Sequence, residues 1–186
     1  MQNKNHTRTV VLLICFTLGA SVFLAQGVDR SKPPRTAATK GGFSVRELSS
    51  LPAIDRTWTP TGNLYGGTYP APNKQFTLIL DDDPANSGEI LRFKIYFEEK
   101  GKARVQLNTG PATYAWMSPD SRWIFIDPLE VIDVKTWQRF SILDKVDLDF
   151  VVIHAISKDG KRLLFTSQDC PFDCRGQNKK YEVRFP

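Results

Sequence analysis

Histidine is scarce in this chain. There are two among 186 residues, and beyond residue 27 only His154 remains. A histidine-built metal centre is therefore excluded. His154 lies within the apolar run Val151-Val152-Ile153-His154-Ala155-Ile156, where a lone imidazole reads as a structural residue. The nucleophile elbow Gly-x-Ser-x-Gly, a glycine-rich phosphate loop and His-Glu-x-x-His are all missing, and with them the reactions they carry. A hydrolase working with two carboxylates stays open, because their separation in space is not written in residue order. Cysteine is nearly as rare, with three residues. Cys15 falls in an N-terminal apolar run, which leaves Cys170-Pro171-Phe172-Asp173-Cys174. No second pair completes a zinc site, no Cys-x-x-Cys-His offers haem attachment, and the three-residue spacer departs from the redox Cys-x-x-Cys. No run of Lys and Arg interleaves with aromatics, so nucleic acid is not an expected partner. The formal charge is only +5, of which Lys4 and Arg8 supply two. No sustained 3.6-residue period follows the N-terminal run; Leu143–Asp149 alone hints at a helical turn.

What is present is ordinary globular material, 41% hydrophobic and 24% charged, in a chain long enough for one domain with a real core. Lys4 and Arg8 precede the apolar stretch Val10–Ala25, no acidic residue occurs before Asp29, and Ala25-Gln26-Gly27 fits small-x-small cleavage. Residues 1–27 therefore read as a signal peptide, or as an uncleaved anchor; the stretch is short against the roughly 20 apolar residues of a membrane span. Either way the remainder is expected outside the cytoplasm, secreted or periplasmic, with membrane contact only if the segment is retained. In that oxidising compartment Cys170 and Cys174 are expected to form a local disulfide, with free thiols as the other reading. Residues 28–42, with Pro33-Pro34 and Gly41-Gly42, read as a linker, and 43–186 as a single β-repeat domain.

One pattern recurs three times: extended residues, a polar turn, then a short apolar run. Tyr114–Met117 leads through Ser118-Pro119-Asp120-Ser121 into Arg122–Ile126. Val152–Ile156 leads through Ser157-Lys158-Asp159-Gly160 into Lys161–Phe165. Gly67–Pro70 leads through Ala71-Pro72-Asn73-Lys74 into Gln75–Leu80. With Pro72, Pro119 and Lys158 in register, the spacings are 47 and 39 residues, a period of propellers or arrays. Each unit reads as an antiparallel sheet of short alternating strands, four being the count of a propeller blade. The first holds Gln75–Leu80, Ile90–Phe97 and Ala103–Leu107. The second holds Arg122–Ile126, Leu129–Val134 and Trp137–Ile142. The third gives Phe150–Ile156, Arg162–Ser167 and Tyr181–Phe185 and lacks a fourth strand. A propeller can complete its last blade from the other terminus, and Phe43–Leu48 is the free candidate. The expected fold is all-β, with about three propeller-like blades; another sandwich or barrel is the alternative.

Trp116–Phe125 and Ala155–Phe165 resemble the Ser-Pro-Asp-Gly repeats of TolB-type β-propellers, over roughly residues 66–186. Pro presets an early turn dihedral, Asp caps the turn and Gly takes the positive dihedral of a tight hairpin. Only Ser157–Phe165 keeps Asp-Gly and only Ser118–Phe125 keeps Ser-Pro-Asp. The resemblance implies a fold and an extracytoplasmic binding role, not a reaction. Propellers have four to eight blades, so closure by a second chain, as a homodimer of three-blade halves, is one expectation and an open array another.

Candidate sites are few. Asp81, Asp83, Asn86 and Glu89 offer oxygen ligands to calcium, although Asn86 stands where the helix-loop-helix calcium pattern wants Gly; a solvated hairpin is the other reading. Asp127 occupies the matching end of the second repeat. Trp116 and Trp123 hold repeat positions filled elsewhere by Ala155 and Arg162, or by Tyr69 and Phe76, which points to inter-blade packing. Trp58 lies in a Pro- and Thr-rich stretch and is the better candidate for ligand contact at a surface. No catalytic residue and no cofactor beyond calcium is assigned. The leading functional expectation is a non-catalytic extracytoplasmic module binding a protein or surface polymer. The alternatives are a secreted carboxylate-dependent glycan hydrolase or a membrane-anchored envelope structural protein.

Overall fold

The structure is a computed structural model and describes residues 28–37, 43–84, 91–110, 112–127, 130–142, 150–168 and 178–186. Among them there are fourteen strands and no helix. The helical turn suggested by the sequence at 143–149 lies outside the described residues.

Three sheets form, none closed into a barrel. Sheet I is the meander β4 (Gly67–Pro70), β5 (Phe76–Asp82), β6 (Phe93–Glu99) and β7 (Val105–Gln106), all antiparallel. Sheet II is the meander β8 (Ala115–Met117), β9 (Trp123–Ile126), β10 (Glu130–Asp133) and β11 (Gln138–Ser141). On its edge β1 (Arg35–Thr36) runs parallel to β11. Sheet III has the order β2 (Ser44–Leu48), β14 (Lys180–Arg184), β13 (Arg162–Gln168), β12 (Phe150–Ser157) and β3 (Trp58–Pro60). The expected N-terminal strand is thus β2, antiparallel to β14 with Val45 opposite Val183.

Alternation explains the layering. On β5 and β6, Phe76, Leu78, Leu80, Phe93, Ile95 and Phe97 turn one way, and they pack against Ile124, Ile126, Ile132 and Trp137 of sheet II. The other face of sheet II sends Trp123, Phe125 and Val131 against Ile156, Leu163, Phe165 and Val183 of sheet III. Sheet II is therefore covered on both faces, consistent with the unbroken apolar run Trp123–Ile126. Each fully buried Leu, Ile or Phe contributes about 1.5–3 kcal/mol. Aromatic pairs tie the layers: Phe97 to Trp137 at 4.7 Å and Trp123 to Phe185 at 4.5 Å between ring centres.

The three repeated turns share one construction. The amide of the fourth residue bonds the carbonyl of the first at 2.8 Å in all three: Lys74 to Ala71, Ser121 to Ser118, Gly160 to Ser157. The fourth residue is left-handed in each, with φ of 59° at Lys74, 60° at Ser121 and 68° at Gly160. Asp120 and Asp159 each accept the hydroxyl of the turn's serine at 2.5 Å and the amide two residues on at 3.1 Å. Asn73 does the amide part of that work toward Gln75 at 2.9 Å. The turns also touch in sequence. The amide of Asn73 donates to Ser121 Oγ at 3.0 Å, and a Cβ on Gly160 would stand 2.5 Å from Asp120 Oδ2. In both contacts the third residue of one turn meets the fourth residue of the next.

Residues 28–37, expected as a linker, run extended along sheet II. Arg30 donates to the Val134 carbonyl and pairs with Glu99 at 2.9 Å, and Trp137 Nε1 donates to the Lys32 carbonyl at 2.7 Å.

Candidate binding face on the third sheet

The first residue after each turn's linking position marks a direction. Phe76, Trp123 and Arg162 each stand two residues after the fourth turn position. Phe76 packs toward sheet II and Trp123 toward sheet III, both nearly fully buried. By the same alternation Arg162 points to the outer face of sheet III, the face onto which a fourth sheet would pack. No sheet covers it. An arginine stands where the two earlier repeats place an aromatic.

That face can be read from the register. Arg162 lies opposite Arg184, and Leu164 lies opposite Glu182, which lies opposite Arg46. β3 brings Trp58 onto the same side by pairing with Ser157. Trp58 packs with Ala155, Leu164, Leu48 and Leu51, and the Arg162 guanidinium lies over its ring at 4.7 Å. Expected in a loop and as a surface contact, Trp58 is instead in a strand and 6% exposed. Tertiary packing on Leu164 and Ala155 overrides the local Pro and Thr signals.

Three clefts meet at Arg162. The largest, about 550 Å³, is lined by Arg46, Asp55, Trp58, Arg162 and Glu182 among others. A second, about 450 Å³, lies between Arg56 and Thr57 on one side and Lys158 and Asp159 on the other. The third, about 360 Å³, lies among Asp159, Lys161, Arg184 and Phe185. Together they carry six cationic and three anionic side chains, the larger part of the chain's +5. Each anion is engaged locally. Glu182, 4% exposed, accepts from Arg184 Nε at 2.5 Å and pairs with Arg46 at 3.6 Å. Asp159 is held below the usual carboxylate range, first by the Ser157 hydroxyl and then by the Lys161 amide. Asp55 is lowered chiefly by the Thr57 hydroxyl and amide. Arg162 has no carboxylate within ion-pair distance among the described residues.

The remaining sequence candidates separate. Asp81 is exposed at the end of β5 and pairs with Arg104 at 3.5 Å, while Asp83 lies 4.0 Å from Lys94. Asn86, Glu89, Cys170 and Cys174 lie outside the described residues. Among the described residues no three His, Cys, Asp or Glu side chains gather to hold a metal. Asp127 accepts from the Thr113 hydroxyl at 2.6 Å. His154 sits at a β-bulge, half-buried, with Nε2 3.0 Å from Thr166 Oγ1. Burial lowers its pKa. Trp116, Trp123 and Trp137 are interior residues. Arg46, Arg162, Arg184 and Glu182 had no motif to single them out. The available signal was the charge at Arg162, where aligned repeats carry Phe76 and Trp123. No family model matches the chain, and neither a curated protein nor a solved structure matches it.

Proposed function

We propose that this chain is a non-catalytic, extracytoplasmic binding module whose three sheets are propeller-like blades in an open array, and that its outer face on sheet III takes a protein or surface polymer. One observation carries the reading. Among the described residues the outer face of sheet III is not covered by another sheet but presents Arg162, held by Trp58, at the junction of three clefts. The turn chemistry and turn-to-turn contacts support the blade reading, as does the resemblance to TolB-type repeats. The N-terminal apolar stretch with Lys4 and Arg8 supports export. Contacts of Arg30 with the Val134 carbonyl and of the Lys32 carbonyl with Trp137 support a fold that includes the residues directly after the expected cleavage point. Two measurements test it. N-terminal sequencing of exported protein is expected to start at Val28. A photo-crosslinker placed at Arg46 is expected to capture an envelope partner that the same crosslinker at Arg104, on sheet I, does not. Equal capture at both positions, or at Arg104 alone, would remove the assignment of the face.

A further inference from the structure

We propose that the occupant of the sheet III face is an acidic protein segment, one that presents carboxylate side chains spaced by neutral residues. The inference rests on the binding-face reading above and names the chemistry that face would select.

The arrangement of charge is the argument. Arg46, Arg56, Lys158, Lys161, Arg162 and Arg184 surround clefts that also contain Asp55, Asp159 and Glu182. A densely charged polymer, such as a sulfated glycan, would bring successive negative groups onto those three carboxylates. An isolated Asp or Glu side chain meets one cation at a time in the spaces between them. The clefts are concave, and the one large aromatic that lines the widest of them, Trp58, is covered by Arg162. A flat lipid surface does not fit such a shape. The chain's own residues also demonstrate carboxylate recognition here: Glu182 engages two arginines at once.

A second copy of the chain is a poorer occupant. The surface it would offer in the same succession is the back of sheet I, where Arg104 already pairs with Glu98 at 2.9 Å and with Asp81 at 3.5 Å. Both carboxylates would have to give up that pairing to meet Arg162.

The stacked Arg162 is the anchor. Its guanidinium plane is fixed against Trp58, so less side-chain freedom is lost when a carboxylate binds its edge. Arg46 and Arg184 are partly engaged by Glu182 and supply adjustable secondary contacts.

The test is calorimetric titration of the full-length exported chain with four probes. These are a synthetic peptide alternating glutamate and serine, its glutamine-for-glutamate counterpart, a sulfated glycan and phosphatidylglycerol vesicles. The glutamate peptide is expected to bind, and its counterpart to bind at least about tenfold more weakly. Arg162→Gln is expected to weaken the glutamate peptide by about tenfold, and Arg162→Lys, which keeps charge but loses the planar stack, by a smaller factor. Arg104→Gln should leave binding unchanged. An unaltered urea midpoint for each variant establishes that the fold is intact. Equal binding of the two peptides, tighter binding of the glycan or vesicles, or indifference to both Arg162 variants overturns the proposal. Concentration-dependent dimerisation abolished by Arg162→Gln does so in favour of a second copy. If crosslinking at Arg46 still captures a partner while the glutamate peptide fails, the acidic class falls and the binding face survives.

Discussion

Gly160 sits where a side chain has no room. Its φ of 68° is left-handed and the site of a Cβ is 2.5 Å from Asp120 Oδ2. Gly160→Ala is therefore expected to cost about 2 kcal/mol or more in urea unfolding, from dihedral strain plus displacement of the Asp120 carboxylate. In an Asp120→Ala background the cost should shrink toward the strain alone, which separates the two terms. Lys74, at φ 59° with open surroundings, gives the opposite sign: Lys74→Gly is expected to stabilise by about 0.5–1 kcal/mol. Arg139 is a further residue-scale case. It is buried, pairs with Glu130 at 3.5 Å, and among the described residues leaves Nε and one terminal nitrogen without partners. Arg139→Met should be neutral or stabilising by up to about 1 kcal/mol, while Leu78→Ala in the adjoining core should cost about 2–5 kcal/mol. Asp159 and Asp55 set an acid dependence. Their folded pKa values lie below the unfolded ones, so their contribution is complete above the unfolded range near pH 4 and is lost as pH falls through the folded values. Replacing Asp159 with Asn should flatten the stability profile measured between pH 2 and pH 5.

At the scale of elements, strands that alternate or follow a turn signal were legible in the sequence, and short strands with neither feature were not. Each turn fixes its own hairpin through local hydrogen bonds, so β5, β9 and β13 fall within a residue or two of where alternation puts them. Phe43–Leu48 could be matched to the last sheet because a meander lacking one strand needs a partner, and its alternation suits one buried face. The strands β1 and β3 carry no such information. Arg35–Thr36 is short and basic, and Trp58–Pro60 ends in proline; each becomes a strand only because an existing edge accepts it. The binding face was hidden for the same reason, since Trp58 meets Arg162 only after β3 adds to β12. Dependence of β14 on β2 is measurable. Val45→Asp puts a charge into the apolar layer opposite Val183 and should strip hydrogen-exchange protection from Tyr181–Val183 before it affects sheet I.

At the scale of the molecule, the sheets follow one another in chain order, I to II to III, with both faces of the middle one buried. The two outer faces differ in kind, one carrying carboxylates already paired with Arg104 and the other an arginine-rich set of clefts. Sedimentation is accordingly expected to give a single species with the mass of one chain; a stable dimer would redirect attention to those faces. The pairing of β2 with β14 sets a timetable as well as a topology. Val45 leaves the ribosome early and must wait until Val183 has emerged before it has a neighbour, and β1 and β3 wait likewise for residues 138–139 and 155–157. Sheet I can complete itself once Gln106 has emerged, but sheet III cannot close until Lys180–Arg184 have followed. If the chain crosses a membrane unfolded, as the proposed export requires, that delay works in its favour, because this zipper is fastened only once everything from Ser44 to Arg184 has arrived on the far side.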